Sequence, residues 1–141
     1  MMKKDYRIET KAVQAGYDPK SGESRIPPIA QSTTFAYEKA DDMAALFDLE
    51  ASGFFYTRLA NPTTDAYQKK VAELEGGIAA VATSSGQAAS LYSVINIAQS
   101  GDNLIALNNI YGGTFTLLKA SLARFGIETR FVKIDELDKI P

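Results

Sequence analysis

The sequence predicts an α/β fold with a mainly parallel sheet, preceded by an extended N-terminal arm. Three observations predict it. From Asn61 onward, short apolar runs alternate with segments of helical periodicity, the pattern of right-handed βαβ units. The connections between them are short and marked by glycine, as at Gly76-Gly77, Gly101-Asp102 and Gly126. Residues 1–60 lack that periodicity and are rich in turn signals, so the chain is divided into 1–60, an arm, and 61–141, the start of an α/β domain.

The arm carries turns in "GYDPKSGE" and a stiff "IPPIAQSTTF", where Pro27 and Pro28 favour extended backbone and remove two donors. One short helix is expected from about Asp41 to Leu49, capped by Asp41, with Met43, Leu46 and Phe47 on one face. So sparse a pattern does not build its own core. A disordered tail or an arm packed on a neighbour both fit, and the Tyr, Phe and Ile content favours the arm.

The second region opens with a strong helix signal, "NPTTDAYQKKVAELEGG". Asn61 suits the N-cap, Pro62 the first helical position and Asp65 the positive first turn. Tyr67, Val71 and Leu74 share a face, and Gly76-Gly77 stop the helix. "IAAVAT" (Ile78 to Thr83) reads as a buried strand. A second helix follows, with Leu91, Val94, Ile95 and Ala98 aligned, then the strand "NLIAL" (Asn103 to Leu107). A third helix is expected from about Gly113 to Arg124, with Phe115, Leu118, Leu122 and Phe125 aligned. "IETRFVKI" returns as a strand, and a further helix begins in "DELDKIP". Apolar runs of this kind suit strands buried on both faces.

Composition narrows the chemistry. The 141 residues include no Cys and no His. Disulfides, thiolate metal sites, cysteine nucleophiles and a Ser-His-Asp triad are thereby excluded from this chain, and no metal site is expected. A net charge of −2 gives no reason to expect nucleic acid or an anionic membrane surface as partner. The N-terminal "MMKKDYRIETK" lacks the apolar core of a secretion signal, and no run approaches a membrane span, so a cytoplasmic protein is expected.

Three stretches point to a ligand. "VATSSGQAAS" ends an apolar run in Ser84, Ser85 and Gly86, where a helix begins. The first N–H groups of a helix lack internal partners, and its dipole makes that end positive. Gly86 offers no side chain to obstruct an anion, Gln87 adds a backbone N–H, and the serine hydroxyls add donors, so a phosphate fits. The same residues equally suit a plain serine cap with no ligand. No GxGxxG or GxxxxGK[ST] is present, which removes the dinucleotide and nucleoside triphosphate fingerprints. In "NNIYGGTF", Tyr111 falls at the carboxyl end of the next strand, where ligands of open α/β sheets sit. Its ring suits a flat partner, and its hydroxyl suits proton transfer given a cationic neighbour. A tyrosine simply packed at a helix start fits too. In "FFYTRLANP", Tyr56 and Arg58 point the same way if the segment is extended and would clamp a phosphate; a surface arginine in a loop is the plain alternative.

Taken together, "PPIAQSTTF", "YTRLANPT", "LEGG", "SSGQAA", "NNIYGGT" and "GIETRFV" occur in an order and spacing that resemble the pyridoxal-phosphate-dependent enzymes of Cys/Met metabolism, from about Glu9 to Asp135. That family includes cystathionine γ-synthase, methionine γ-lyase and O-acetylhomoserine sulfhydrylase. "LFDLEASGFFYTRLANPT" and "SSGQAA" are most similar to the last branch. The resemblance implies the N-terminal part of the large domain of a fold type I, aminotransferase-like transferase. It implies pyridoxal 5'-phosphate as cofactor, held through Ser85, Gly86 and Gln87, with Tyr111 stacked on its ring and acting in proton transfer. It implies Tyr56 and Arg58 reaching the phosphate from a neighbouring subunit, hence a homotetramer of dimers with shared active sites. The implied reaction is γ-replacement, O-acetylhomoserine plus sulfide or a thiol giving homocysteine or methionine plus acetate; methionine γ-elimination and cystathionine γ-synthase chemistry are the rivals.

The departure from the family is length. The Schiff-base lysine, the Asp that pairs with the pyridinium nitrogen and the Arg that grips the substrate carboxylate have no counterpart in this chain. Lys69, Lys70, Lys119, Lys133 and Lys139 match no such position and read as solvated charges. The expectation is therefore an N-terminal piece of a larger enzyme, inactive alone and completed by a C-terminal remainder, with a non-catalytic assembly module as the alternative of another class.

Overall fold

The computed structural model describes residues 6–140, with nothing said of the side chains at 138 and 139. Residues 1–5 of the expected arm, Pro141 at the end of the expected last helix and the side chain of Lys139 lie outside the described residues. The chain divides into two compact units between Ala82 and Thr83. The helix opened by Asn61 therefore groups with residues of the arm.

Among its described residues the first unit contains three helices, α1 (Ile8–Gln14), α2 (Ala40–Phe47) and α3 (Pro62–Glu75). The helix α1 has no counterpart in the irregular arm read from the sequence. Its seven residues, too few to be stable alone, lie against α3. Gly16 makes the approach possible: its φ is +88°, and a Cβ there would stand 2.2 Å from the Ala66 carbonyl oxygen. Lys11 pairs with Glu73 at 3.5 Å, and Lys70 Nζ donates to the Val13 carbonyl at 3.3 Å. So close an approach selects small side chains. Ala66 and Ala72 are the buried residues of α3, while Tyr67, expected on the buried face, is 60% exposed.

The start of α3 follows its sequence signals. Asn61 Oδ1 accepts from the Thr63 N–H at 2.9 Å, Pro62 occupies the first turn, and Gly76 closes the helix at φ +67°. The proline segment is tied to this terminus. Thr63 Oγ1 donates to the Pro28 carbonyl and accepts from the Ala30 N–H, and Asn61 Nδ2 donates to the Ala30 carbonyl. Asp41 lies in the first turn of α2, whose cap position is Lys39 without a side-chain cap bond; Leu46 is its buried residue, and Phe47 is exposed.

The predicted strand at Ile78 to Thr83 is not formed. Ile78 and Val81 are fully and largely exposed, and a bond from the Ala82 N–H to Gln68 Oε1 at 2.8 Å anchors the segment. A strand exists only as half of a ladder, and no described residue pairs with this one.

The second unit runs through α4 (Gly86–Ile95), β1 (Asn103–Leu107), α5 (Gly112–Thr116), a π-helical turn (Leu117–Ser121), α6 (Leu122–Arg124), β2 (Glu128–Val132) and a 3₁₀ helix (Ile134–Lys139). The strands β1 and β2 pair in parallel, Asn103 against Glu128 through Leu107 against Val132, giving two strands among the described residues where three were predicted. Leu118, Leu122 and Ile127 form the core, with Leu91, Val94, Ala98, Leu104, Ala106, Ile110 and Phe131 against it. Leu104 and Ala106 share one face of β1. Ile105, on the other, is 42% exposed, so the strands are covered on one face rather than both. The π turn fits one extra residue into the third helix. The Leu118 carbonyl there accepts from Thr129 Oγ1 at 2.9 Å. Ile95 and Phe125, expected on buried faces, are 39% and 53% exposed.

Candidate functional site

Four of the six predicted site residues lie in the second unit, at the N-terminal ends of α4 and α5. Ser85 is the N-cap of α4, with extended backbone (φ −160°, ψ 156°). Its Oγ accepts from the Ala88 N–H at 3.1 Å, and its carbonyl accepts from the Ala89 N–H at 3.0 Å and from Thr83 Oγ1 at 2.9 Å. The serine therefore caps the helix, as the ligand-free reading required. That role uses Oγ as an acceptor only and leaves its proton free to donate. The N–H groups of Gly86 and Gln87 have no partner among the described residues. They point out of a ten-residue helix whose dipole is positive at this end.

Gly86 is open: a Cβ built there would meet nothing within 4 Å. Ser84, Ser85 and Gly86 are exposed, and Gln87 is half-buried. The cup thus presents two N–H donors and a hydroxyl donor, unengaged among the described residues, around an unobstructed glycine, which fits a phosphate group. The segment before the cup is not a strand, so the expected strand-to-helix setting is corrected to a coil-to-helix one.

Tyr111 caps α5 with its backbone, its carbonyl accepting from the Phe115 N–H at 2.9 Å. Three residues separate it from the end of β1, so it lies at the strand's carboxyl end. The residue is 75% exposed, leaving room for a flat partner on its ring. Gln87 Nε2 lies 3.5 Å from Thr114 Oγ1, linking the start of α4 to the start of α5. Thr83, Gly113 and Thr114 are members of this neighbourhood that sequence reasoning missed; the only sequence signal was their adjacency to Ser85 and Tyr111.

Tyr56 and Arg58 lie in the first unit. Tyr56 forms an isolated antiparallel bridge with Thr34, and the chain then turns through Thr57 and Arg58. The extended spacing expected for the pair is replaced by this turn, yet the two side chains still meet. The Arg58 guanidinium lies over the Tyr56 ring, 5.2 Å from its centroid. Arg58 is exposed, with no hydrogen bond or ion pair among the described residues. Beside the pair, Thr34, Phe35, Met43, Phe47, Phe55 and Leu59 line a largely apolar pocket.

The lysines read as solvated charges are partly engaged. Lys69 pairs with Asp65 at 2.6 Å, Lys70 is held by Val13 as described, and Lys119 Nζ lies 5.6 Å from the Phe115 ring centroid. Among the described residues no group of three or more acidic side chains is gathered as a metal site, and no helix is long and apolar enough to cross a membrane.

Residues 9–141 match the family model described as Cys/Met metabolism PLP-dependent enzyme. The chain is 42% identical over 132 residues to O-acetyl-L-homoserine sulfhydrylase of Leptospira meyeri, covering 93% of this chain and 30% of the relative. It is 40% identical over 140 residues to L-methionine gamma-lyase of Fusobacterium nucleatum, covering 99% and 35%. Among solved structures, a Campylobacter jejuni protein assigned as an O-acetylhomoserine (thiol)-lyase superposes with a TM-score of 0.86 at 42% identity, covering 95% of this chain and 33% of that one; it carries N'-pyridoxyl-lysine-5'-monophosphate. The chain thus spans about a third of the length of the relatives it matches.

Proposed function

The chain belongs to the Cys/Met metabolism PLP-dependent enzyme family, and we propose that in the full-length polypeptide it supplies the phosphate-binding turn and ring-stacking tyrosine of an O-acetylhomoserine sulfhydrylase. The observation that carries the reading is the α4 terminus, where two N–H groups and one hydroxyl proton have no partner among the described residues around Gly86. Ser85, Gly86 and Gln87 donate to the cofactor phosphate, and the helix dipole favours its charge. Tyr111 lays its exposed ring on the pyridine and carries a proton on its hydroxyl. When bound, pyridoxal phosphate supplies the electron sink that lets acetate depart from the substrate Cγ. Sulfide, or a thiol, forms the new C–S bond there, giving homocysteine or methionine.

Tyr56 and Arg58 serve a neighbouring subunit's phosphate, with the guanidinium already held over an aromatic ring and without a carboxylate partner among the described residues. This makes 1–60 an arm that packs on that subunit and 61–141 the start of the cofactor domain, in a cytoplasmic homotetramer of dimers with shared active sites. The exposed Phe47, Leu49 and Leu59 support such packing. The Schiff-base lysine, the pyridinium-pairing Asp and the carboxylate-binding Arg come from the remaining length.

The test is assay of the full-length protein loaded with pyridoxal phosphate, supplied with O-acetylhomoserine and sulfide. Homocysteine and acetate in equal amounts are expected. Absence of bound cofactor would overturn the reading. The Fusobacterium likeness favours a second reaction, methionine γ-elimination; release of methanethiol from methionine, without turnover of O-acetylhomoserine, would select it. Tyr111→Phe is expected to reduce turnover by about 100-fold or more, the range of a lost proton-transfer group. Cofactor content should stay near that of the wild type, and equal loss of both would remove the proton-transfer role.

A further inference from the structure

Gly112 and Gly113 follow Tyr111 and differ sharply in what surrounds them. A Cβ at Gly112 would meet nothing within 4 Å. A Cβ at Gly113 would stand 2.7 Å from Tyr111 Cε1, 3.4 Å from Tyr111 Cδ1 and 3.0 Å from Gln87 Nε2. Neither glycine has a positive φ, so neither is required by its backbone. What sets Gly113 apart is that the tyrosine ring edge and the glutamine carboxamide occupy the space a methyl group would need.

We propose that Gly113 is a positioning residue for Tyr111. Its bare Cα is the seat against which the ring rests, and it sets the ring's place relative to the turn at Ser85–Gln87. The proposal rests on the role given to Tyr111 above. A methyl group at 113 cannot be absorbed by the backbone of α5, which is fixed by the Phe115 N–H bond to the Tyr111 carbonyl and by the Leu118 core. The exposed ring is the softest neighbour, because its side chain turns about χ1 without breaking a hydrogen bond. The carboxamide of Gln87, held by Thr114 Oγ1 at 3.5 Å, is the next to give. The ring therefore swings off its seat while the helix stays in place. A catalytic group misplaced by about 1 Å loses up to about 100-fold in rate.

The experiment compares Gly113→Ala and Gly112→Ala in the full-length holoenzyme. Gly113→Ala is expected to lower kcat by about 10- to 100-fold, with KM changed less and the pH dependence of kcat displaced. Gly112→Ala should match the wild type. In a Tyr111→Phe background the Gly113→Ala loss should shrink to less than about threefold, because the hydroxyl it misplaces is already gone. Crystal structures of the two apo proteins add a readout free of activity, and Gly113→Ala should show the Tyr111 ring moved with α5 unshifted. An unmoved ring, an unchanged pH profile or a full Gly113→Ala loss on top of Tyr111→Phe would each overturn the proposal. If the wild type binds no pyridoxal phosphate, the proposed function falls, while the apo structures still decide whether Gly113 seats the ring.

Discussion

Ser85 has two roles that one substitution separates. Its Oγ caps α4 through Ala88, and its proton is assigned to the cofactor phosphate. Ser85→Asp preserves the first role, because Asp and Ser are about equally good N-caps. A negative charge at this end of the dipole adds about 0.3–1 kcal/mol of helix stability. The apo protein should therefore melt at or slightly above the wild-type temperature. The second role is abolished. The carboxylate replaces a donor and stands beside a phosphate bound at the same terminus. Two charges about 4 Å apart repel by about 4 kcal/mol near a protein surface, roughly a thousandfold in affinity for each phosphate charge. Ser85→Asn is the neutral comparison. It keeps the cap through Oδ1 and carries its donor on Nδ2, displaced from the hydroxyl position, so at most one hydrogen bond to a charged acceptor is lost, a cost of up to about 3 kcal/mol or about 150-fold. The assay is equilibrium binding of pyridoxal phosphate to each apo protein, beside thermal unfolding of the same samples. Affinity should fall in the order wild type, Asn, Asp, with stability level or rising. If Ser85→Asp binds the cofactor as tightly as the wild type, the phosphate is not at this helix terminus. If it melts several degrees lower, the capping geometry is wrong.

Three further outcomes follow from other parts of the chain. Asn61→Ala removes the α3 cap and leaves the Ala30 carbonyl without its donor at a site 6% exposed; a loss of about 2–3 kcal/mol is expected in urea unfolding, with Asn61→Asp intermediate. Leu122→Ala opens a cavity at a fully buried core position between the helices and the sheet, and should cost about 2–5 kcal/mol by the same measurement. Arg58→Ala, at an exposed position with no ion pair, should leave stability within about 0.5 kcal/mol of the wild type but speed the loss of pyridoxal phosphate on dialysis; unchanged retention would remove Arg58 from the clamp.

What was legible in the sequence was what is decided within a few residues. The α3 helix shows this at both ends: Asn61, Pro62 and Gly76 act on their own neighbours, and the structure uses each as predicted. The same holds for Ser85, whose cap bond spans three residues, and for β1 and β2, whose apolar runs are joined by a single helical crossover. The failures lie where the decisive partner is distant. Periodicity put Tyr67 inside, but the backbone at Gly16, fifty residues earlier, lies against Ala66 and makes alanine the buried side chain. Ile78 to Thr83 has a strand's composition without a ladder partner among the described residues. Its exposed Ile78 and Val81 mark a segment that needs a pairing neighbour to become one.

The candidate site divides along the same line, and the "YGGT" stretch isolates the cause. Tyr111 was legible because its place follows from strand order. The two glycines after it were not distinguishable, since both have small side chains, neither demands an unusual backbone, and both lie at the start of one short helix. Only the return of α4 to this point, which brings the Gln87 carboxamide beside Tyr111, gives one glycine a duty and leaves the other free. That contact joins residues 26 positions apart in the chain, Gln87 and Gly113, and no local pattern encodes it. Gly112→Ala against Gly113→Ala therefore measures tertiary information alone. The two variants share residue type, helix and backbone region, so any difference between them arises from what α4 places next to Tyr111.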